Sequence, residues 1–146
     1  KTRDVVENLI KNAEKSVVMT GYSISDYFTG MLDTIIAKSQ QGVYVRFYVN
    51  DIEKSRASLV KMLAYRSKYL QFFEYEKNSD DKMAASHAKI LTIDSDKSLV
   101  SSANLSYHGL SGNIEMGFLV RSADKAKQIE ELLKKLVRMH VYKKIS

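Results

Sequence analysis

The chain has no cysteine in its 146 residues, which excludes both a disulfide framework and a thiolate metal site and leaves cysteine usage silent about the redox compartment. Proline is absent too, glycine occurs only 6 times, and no Ser-, Gly- or charge-rich stretch reads as a linker. A domain boundary therefore has no obvious place to fall, and no internal repeat is visible. No apolar run approaches the roughly 18 residues of a membrane span, and no signal-like start follows Lys1. The expectation is a single soluble, cytoplasmic domain over residues 1–146, its start at Lys1 being also that of a piece cut from a larger protein. Such a length buries roughly 70% of the unfolded surface, so a real core forms without staples.

What is present is an excess of positive charge. The net charge is +6, from 23 basic and 17 acidic residues. Arg121 to Ser146 holds eight Lys or Arg against three Asp or Glu, so +5 of the +6 lies in that last stretch. A polyanionic partner, nucleic acid or anionic lipid, is favoured. A solvated basic helix with no partner explains the same charges.

Helix and strand patterns alternate along the first half. Asp4–Ala13 spaces Val5, Val6, Leu9, Ile10 and Ala13 as a helical stripe, and Ser16–Ile24 reads as a strand. Thr29–Gln41 predicts a second helix stopped by Gly42, Val43–Asp51 a second strand, Ser55–Ser67 a helix and Leu70–Glu76 an extended segment. This alternation implies an α/β fold with a mixed, largely parallel sheet flanked by helices. The polar Lys77–Ala85 reads as a loop. HAKILTID and SLVSSANLS follow as two strands joined by the hairpin-like turn SDKS, then EMGFLVRS as another strand. Ala123–Arg138 closes as an amphipathic helix with Ile129, Leu132, Leu133, Leu136 and Val137 on one side.

The chemistry concentrates in SHAKILTIDSDKSLVSSANLS. Residues two apart on a strand share a face, so His87 and Lys89 point together, as do Ser102 and Asn104. If the two strands pair, an imidazole, an ammonium, a hydroxyl and a carboxamide converge on one small patch suited to a phosphate. Lys89, Ser102 and Asn104 can hold non-bridging oxygens, and His87 is the group able to attack or to move protons near neutral pH. The second nitrogen of that imidazole needs an acceptor, for which Glu115 is the candidate. Asp94 stands at an odd offset from His87, which turns it to the other face of a regular strand and suits it to anchor the turn or neighbouring backbone.

This constellation resembles the phospholipase D superfamily, whose pattern runs His, any residue, Lys, four residues, Asp, six residues, then Gly-Ser-any-Asn. His87, Lys89, Asp94 and Ser101-Ser102-Ala103-Asn104 match every interval, with Ser101 standing where the family has Gly. The opening KSVVMTGYSI, helix and GVYVRFYVND also resemble the family's first strand, helix and strand. Only one His-any-Lys is present, since His108 and His140 lack the pattern, so the resemblance implies one catalytic half completed by a second copy. It further implies a metal-free and cofactor-free mechanism in which His87 attacks phosphorus and His87 of the partner subunit protonates the leaving oxygen. Lys89 and Asn104 then bind phosphate, and Ser102 and Glu115 orient. NLSYHGLSGNIE is similar to phospholipase D-like domains of bacterial helicases, restriction enzymes and phage-defence systems.

The leading expectation is therefore a homodimeric nuclease, acting on DNA rather than RNA, within a larger DNA-processing system. A non-catalytic nucleic-acid-binding or assembly module is the alternative, since family folds can serve without chemistry. A phospholipid phosphodiesterase comes third, for want of an apolar access surface or membrane segment. Tyr22, Ser23 and His108 are secondary site candidates. Phe72, Phe73 and Tyr75 can stack bases or pack a core, with the core favoured.

Overall fold

The computed structural model describes residues 2–21, 29–50, 52–76, 89–101 and 117–145. In chain order these form α1 (Thr2–Lys11), β1 (Ser16–Thr20), α2 (Thr29–Gln40), β2 (Tyr44–Val49), α3 (Ile52–Leu63), β3 (Leu70–Tyr75), β4 (Lys89–Ile93), β5 (Lys97–Ser101), β6 (Gly117–Arg121), α4 (Ala123–Arg138) and β7 (Tyr142–Lys144). The seven strands make one sheet in the order β6-β5-β4-β1-β2-β3-β7.

The sheet is mixed, but its parallel part is confined to β1, β2 and β3, paired through Val17↔Val45 and Phe47↔Phe72. The remaining pairings, β1 with β4, β4 with β5, β5 with β6 and β3 with β7, are antiparallel. The βαβ alternation predicts a larger parallel share. It ends at β3 because β4, β5 and β6 each reverse the direction of the strand before, and β7, returned by α4, runs against its neighbour β3.

Alternation of side chains along the strands separates two cores. Val17, Met19, Phe47, Phe72, Leu91 and Leu99 face one side, where α1, α2 and α3 lay Ile10, Ile35, Leu59 and Met62 against them. Val18, Tyr48 and Phe73 face the other, covered by Leu133 of α4 and by Tyr142. Phe72 stacks on Phe47 and Phe73 on Tyr48, so both are core residues; Tyr75 meets the edge of Tyr142.

Helix ends follow local chemistry. After α2, Gly42 takes φ 88, and the Val43 N–H donates to the Lys38 carbonyl at 3.1 Å, a Schellman closure. The Ser122 hydroxyl accepts from the Lys125 N–H at 3.2 Å and caps the start of α4. At the other end His140 occupies the left-handed position (φ 60) with the Val141 N–H on the Leu136 carbonyl at 2.9 Å. The turn after that helix delivers β7, which sequence patterning misses. α3 starts earlier than its periodicity predicts, at Ile52, whose N–H donates to the Glu74 carboxylate at 3.4 Å.

One carboxylate joins the two halves of the sheet. Asp94 Oδ1 accepts from the backbone N–H groups of Glu14 (3.1 Å), Lys15 (2.7 Å) and Ser16 (3.0 Å). Its own N–H donates to the Ser16 carbonyl at 2.9 Å. Asp94 and Ser95 both have positive φ (55 and 51), a backbone shape that Asp tolerates, and the Asp96 N–H closes the turn on Ile93 O at 3.0 Å. Ser95 Oγ then donates to the Glu130 carboxylate of α4 at 2.9 Å. The β4–β5 turn is thereby tied to the α1–β1 junction on one side and to α4 on the other.

Removing a charged acceptor of several backbone N–H groups costs about 2–3 kcal/mol, so Asp94→Ala lowers unfolding stability by that order and Asp94→Asn by less. Denaturant titration checks it, and a change within about 0.5 kcal/mol, the size of an ordinary surface effect, contradicts it. Burial pushes the Tyr48 hydroxyl from 10.0 up to about 12, with Arg46 pulling down and Tyr142 and Glu130 adding to the rise. The unfolded chain ionises this group first, so the associated stability is complete below pH 10 and is lost as pH rises toward 12. Tyr48→Phe should flatten the melting temperature across that alkaline window; an unchanged alkaline slope in the variant would count against the burial argument.

Candidate active site

All the parallel strands point to one end of the sheet, and the antiparallel ones start or finish there. β1 ends at Thr20, β4 begins at Lys89, β5 ends at Ser101 and β6 begins at Gly117. In register, Ile90 lies opposite Thr20, Lys89 opposite Ser101 and Ser101 opposite Gly117. The chain runs from β1 to β2 and β3 on one side, then crosses to β4, β5 and β6 on the other. The ends of β1 and β4 thus mark the topological switch point of the sheet, the place where open α/β sheets bind ligands.

Lys89 is half-buried at that point, on the face shared with Leu91 and Ile93. His87, Ser102, Asn104 and Glu115 lie outside the described residues, as do Tyr22, Ser23 and His108. Their neighbours in sequence do not: Lys89 follows His87 by two residues, Ser101 directly precedes Ser102, and Gly117 follows Glu115 by two. These three described residues stand side by side on adjacent strands.

Asp94 is at the other end of β4, five residues from Lys89 and so about 16 Å away at strand rise. It touches backbone and holds the α1–β1 junction, which makes it a positioning residue for the sheet. His140 lies on the left-handed turn that ends α4 and leads into β7.

Sequence patterning passes over Gly117. A Cβ at this position would stand 3.0 Å from Ser101 Cβ and 3.3 Å from the Val100 carbonyl oxygen, so a side chain there would require β5 to give by a few tenths of an ångström. Ser101 is tolerated because the residue across from it is the smallest available, and its φ is not positive. The signal was an isolated glycine in an otherwise apolar strand, which marks close backbone approach. Gly21, directly after β1, takes φ 75, a left-handed backbone shape open to glycine.

The comparisons with known proteins agree with this geometry. Residues 6–137 match the family described as "Cardiolipin synthase, PLD-like domain". The chain is 31% identical over 145 residues to the DISARM protein DrmC of Bacillus paralicheniformis, covering 99% of this chain and 60% of that relative. It therefore spans somewhat under two thirds of that relative's length. The fold is similar to the phospholipase D family member Nuc from Salmonella typhimurium, with TM-score 0.76 and 18% identity over 98% of this chain and 90% of the other. NucT from Helicobacter pylori superposes with TM-score 0.71 and 17% identity, covering 95% and 89%. No helix among the described residues is long and apolar enough to cross a membrane. A family match over most of the chain, together with this sheet and the His-any-Lys and Ser-any-Asn spacing, means that the chain belongs to the phospholipase D-like family.

Proposed function

We propose that this chain is a metal-independent phosphodiesterase that cleaves nucleic acid, DNA in preference to RNA, at a site shared by two copies. The observation that carries the reading is the side-by-side placement of Lys89, Ser101 and Gly117 at the switch point of the sheet. Three adjacent strand ends there lead directly into the residues of the motif.

In this reading His87 Nε2 or Nδ1 attacks phosphorus, a nitrogen–phosphorus bond forms, and the bond to the leaving oxygen breaks. The partner subunit's His87 gives that oxygen a proton. It then takes a proton from water, whose oxygen attacks the phosphohistidine and releases the phosphate product and free His87. Lys89 and Asn104 balance charge on the non-bridging oxygens, where preorganised donors contribute most. Ser102 and Glu115 orient, and Asp94 acts through the backbone. The basic C-terminal stretch, +5 over Arg121 to Ser146, favours a polyanion by long-range attraction. The DISARM relative and the phage-defence resemblance favour a part in a cytoplasmic defence system built from further domains or subunits.

A second copy is supported by the sheet's outer edge. Phe118 of β6 is 68% exposed and shares a face with the exposed Val100 and Val120. An exposed apolar patch of this kind marks a protein contact. Antiparallel pairing of two β6 edges would put the two sites at opposite ends. Packing the Phe118 faces about a two-fold axis along the strands keeps both sites at the same end.

Hydrolysis of single- and double-stranded DNA in excess chelator, wild type against folded His87→Ala, tests the chemistry. Cleavage in the wild type that falls at least a thousandfold in the variant is expected, whereas DNA binding without cleavage by either would favour a binding module. Phe118→Glu should yield a folded monomer by light scattering, with cleavage lost. A dimer that persists in that variant would refute the Phe118 interface, and an active wild-type monomer would refute the shared site.

A further inference from the structure

A second polar site lies on the same face of the sheet as Lys89, at the opposite end. Lys97 and Arg121 stand directly across from each other on β5 and β6. They rim a groove of about 320 Å³ between those strands and α1. Leu9 and Leu119 supply its apolar floor, and Asn8 and Asn12 its wall. Neither cation has an acidic partner among the described residues. Asn12 Nδ2 donates to Asn8 Oδ1 at 2.8 Å and to Asn8 O at 2.9 Å, so the pair still offers an amide oxygen and an amide N–H to a ligand. Two cations, an apolar floor and a donor–acceptor wall suit a flat, polar-edged ring that carries a phosphate.

We propose that this groove is a nucleotide subsite, in which Lys97 and Arg121 take phosphate groups of the bound strand and the Leu9–Leu119 floor with the two asparagines receives one nucleotide unit. The subsite rests on the nucleic-acid reading above and extends it along the sheet. Lys97 is four residues from Ser101, about 13 Å along β5, so the groove engages phosphates beyond the scissile one rather than the scissile phosphate itself. Residues an even number apart keep one face, and the path between the two ends crosses the partly exposed Leu119. α4, with its own exposed lysines, packs on the other face of the sheet against Val18, Tyr48 and Phe73. The strand therefore runs over the α1 face of β5 and β6 and does not track α4.

The test is the salt dependence of binding to a short labelled single-stranded oligonucleotide. Loss of two phosphate contacts makes the slope of log K against log salt less steep by about 1.4. Lys97→Ala/Arg121→Ala should show that change, and Lys134→Ala/Lys135→Ala, which removes the same charge from exposed positions on α4, should keep the wild-type slope. A wild-type slope in the first double variant, or equal loss in both, overturns the subsite. The two readings fail differently: wild type that binds no oligonucleotide at any salt sinks both, whereas good wild-type binding with an unaltered variant slope sinks only the groove. Side-chain amide signals of Asn8 and Asn12, followed by NMR, separate the ligand sources. Shifts with the oligonucleotide alone assign the groove to a segment of polymer, shifts also with a nucleoside monophosphate show that one free nucleotide suffices, and shifts with neither overturn the proposal.

Discussion

The Asp94 carboxylate is the contact on which the arrangement of this sheet turns. β1 is the central strand, flanked by the parallel βαβ half on one side and by the antiparallel β4–β6 half on the other. Ladder hydrogen bonds set the register of β4 against β1 but do not by themselves hold the loop that feeds β1. Asp94 does so, gathering three successive N–H groups at the α1–β1 junction onto one oxygen. Those groups precede a strand and would otherwise need water or a turn to satisfy them. The neighbouring Ser95 repeats the tie toward α4. A five-residue motif that looks like one catalytic unit in sequence is thus divided in space. Lys89 is at the site end, and Asp94 secures the strand from the far end.

That division fits the demands of the proposed chemistry. A phosphate-binding lysine must be held to a fraction of an ångström while the reaction is in progress, and β4 is anchored at the end away from the substrate, where nothing has to move. Gly117 does comparable work on the other flank by letting β6 approach β5 closely beside Ser101. The family's glycine before Ser-any-Asn is replaced here by Ser101, and the small residue stands across the ladder.

Much of this was legible in the sequence, and the exceptions share a cause. Half-buried strands and amphipathic helices declare themselves by period, so every element but β7 was readable, with boundaries displaced where a distant group intervened, as Glu74 does at Ile52. The motif intervals were readable because strand geometry makes them meaningful, and Asp94's odd offset pointed away from the substrate. Its partners at Glu14 to Ser16, some 80 positions away in sequence, could not be seen. Neither could β7, whose three residues pair only with β3, nor the meeting of Lys97 with Arg121 and of Ser101 with Gly117. Each of these depends on a register between strands, which a local pattern does not carry. The residues with the clearest sequence signal, His87, Ser102, Asn104 and Glu115, lie outside the described residues, so their roles rest on spacing and on the strand ends beside them.

The central claim is a covalent phosphohistidine on His87, and it can be met directly. A cleavable oligonucleotide labelled at phosphorus is mixed with excess enzyme and chelator, quenched in alkali to spare the nitrogen–phosphorus bond, digested and sequenced by mass spectrometry. The account predicts a transient adduct on the peptide that carries His87, decaying as product appears. Cleavage that proceeds with no adduct, or with the adduct on another residue, would contradict it.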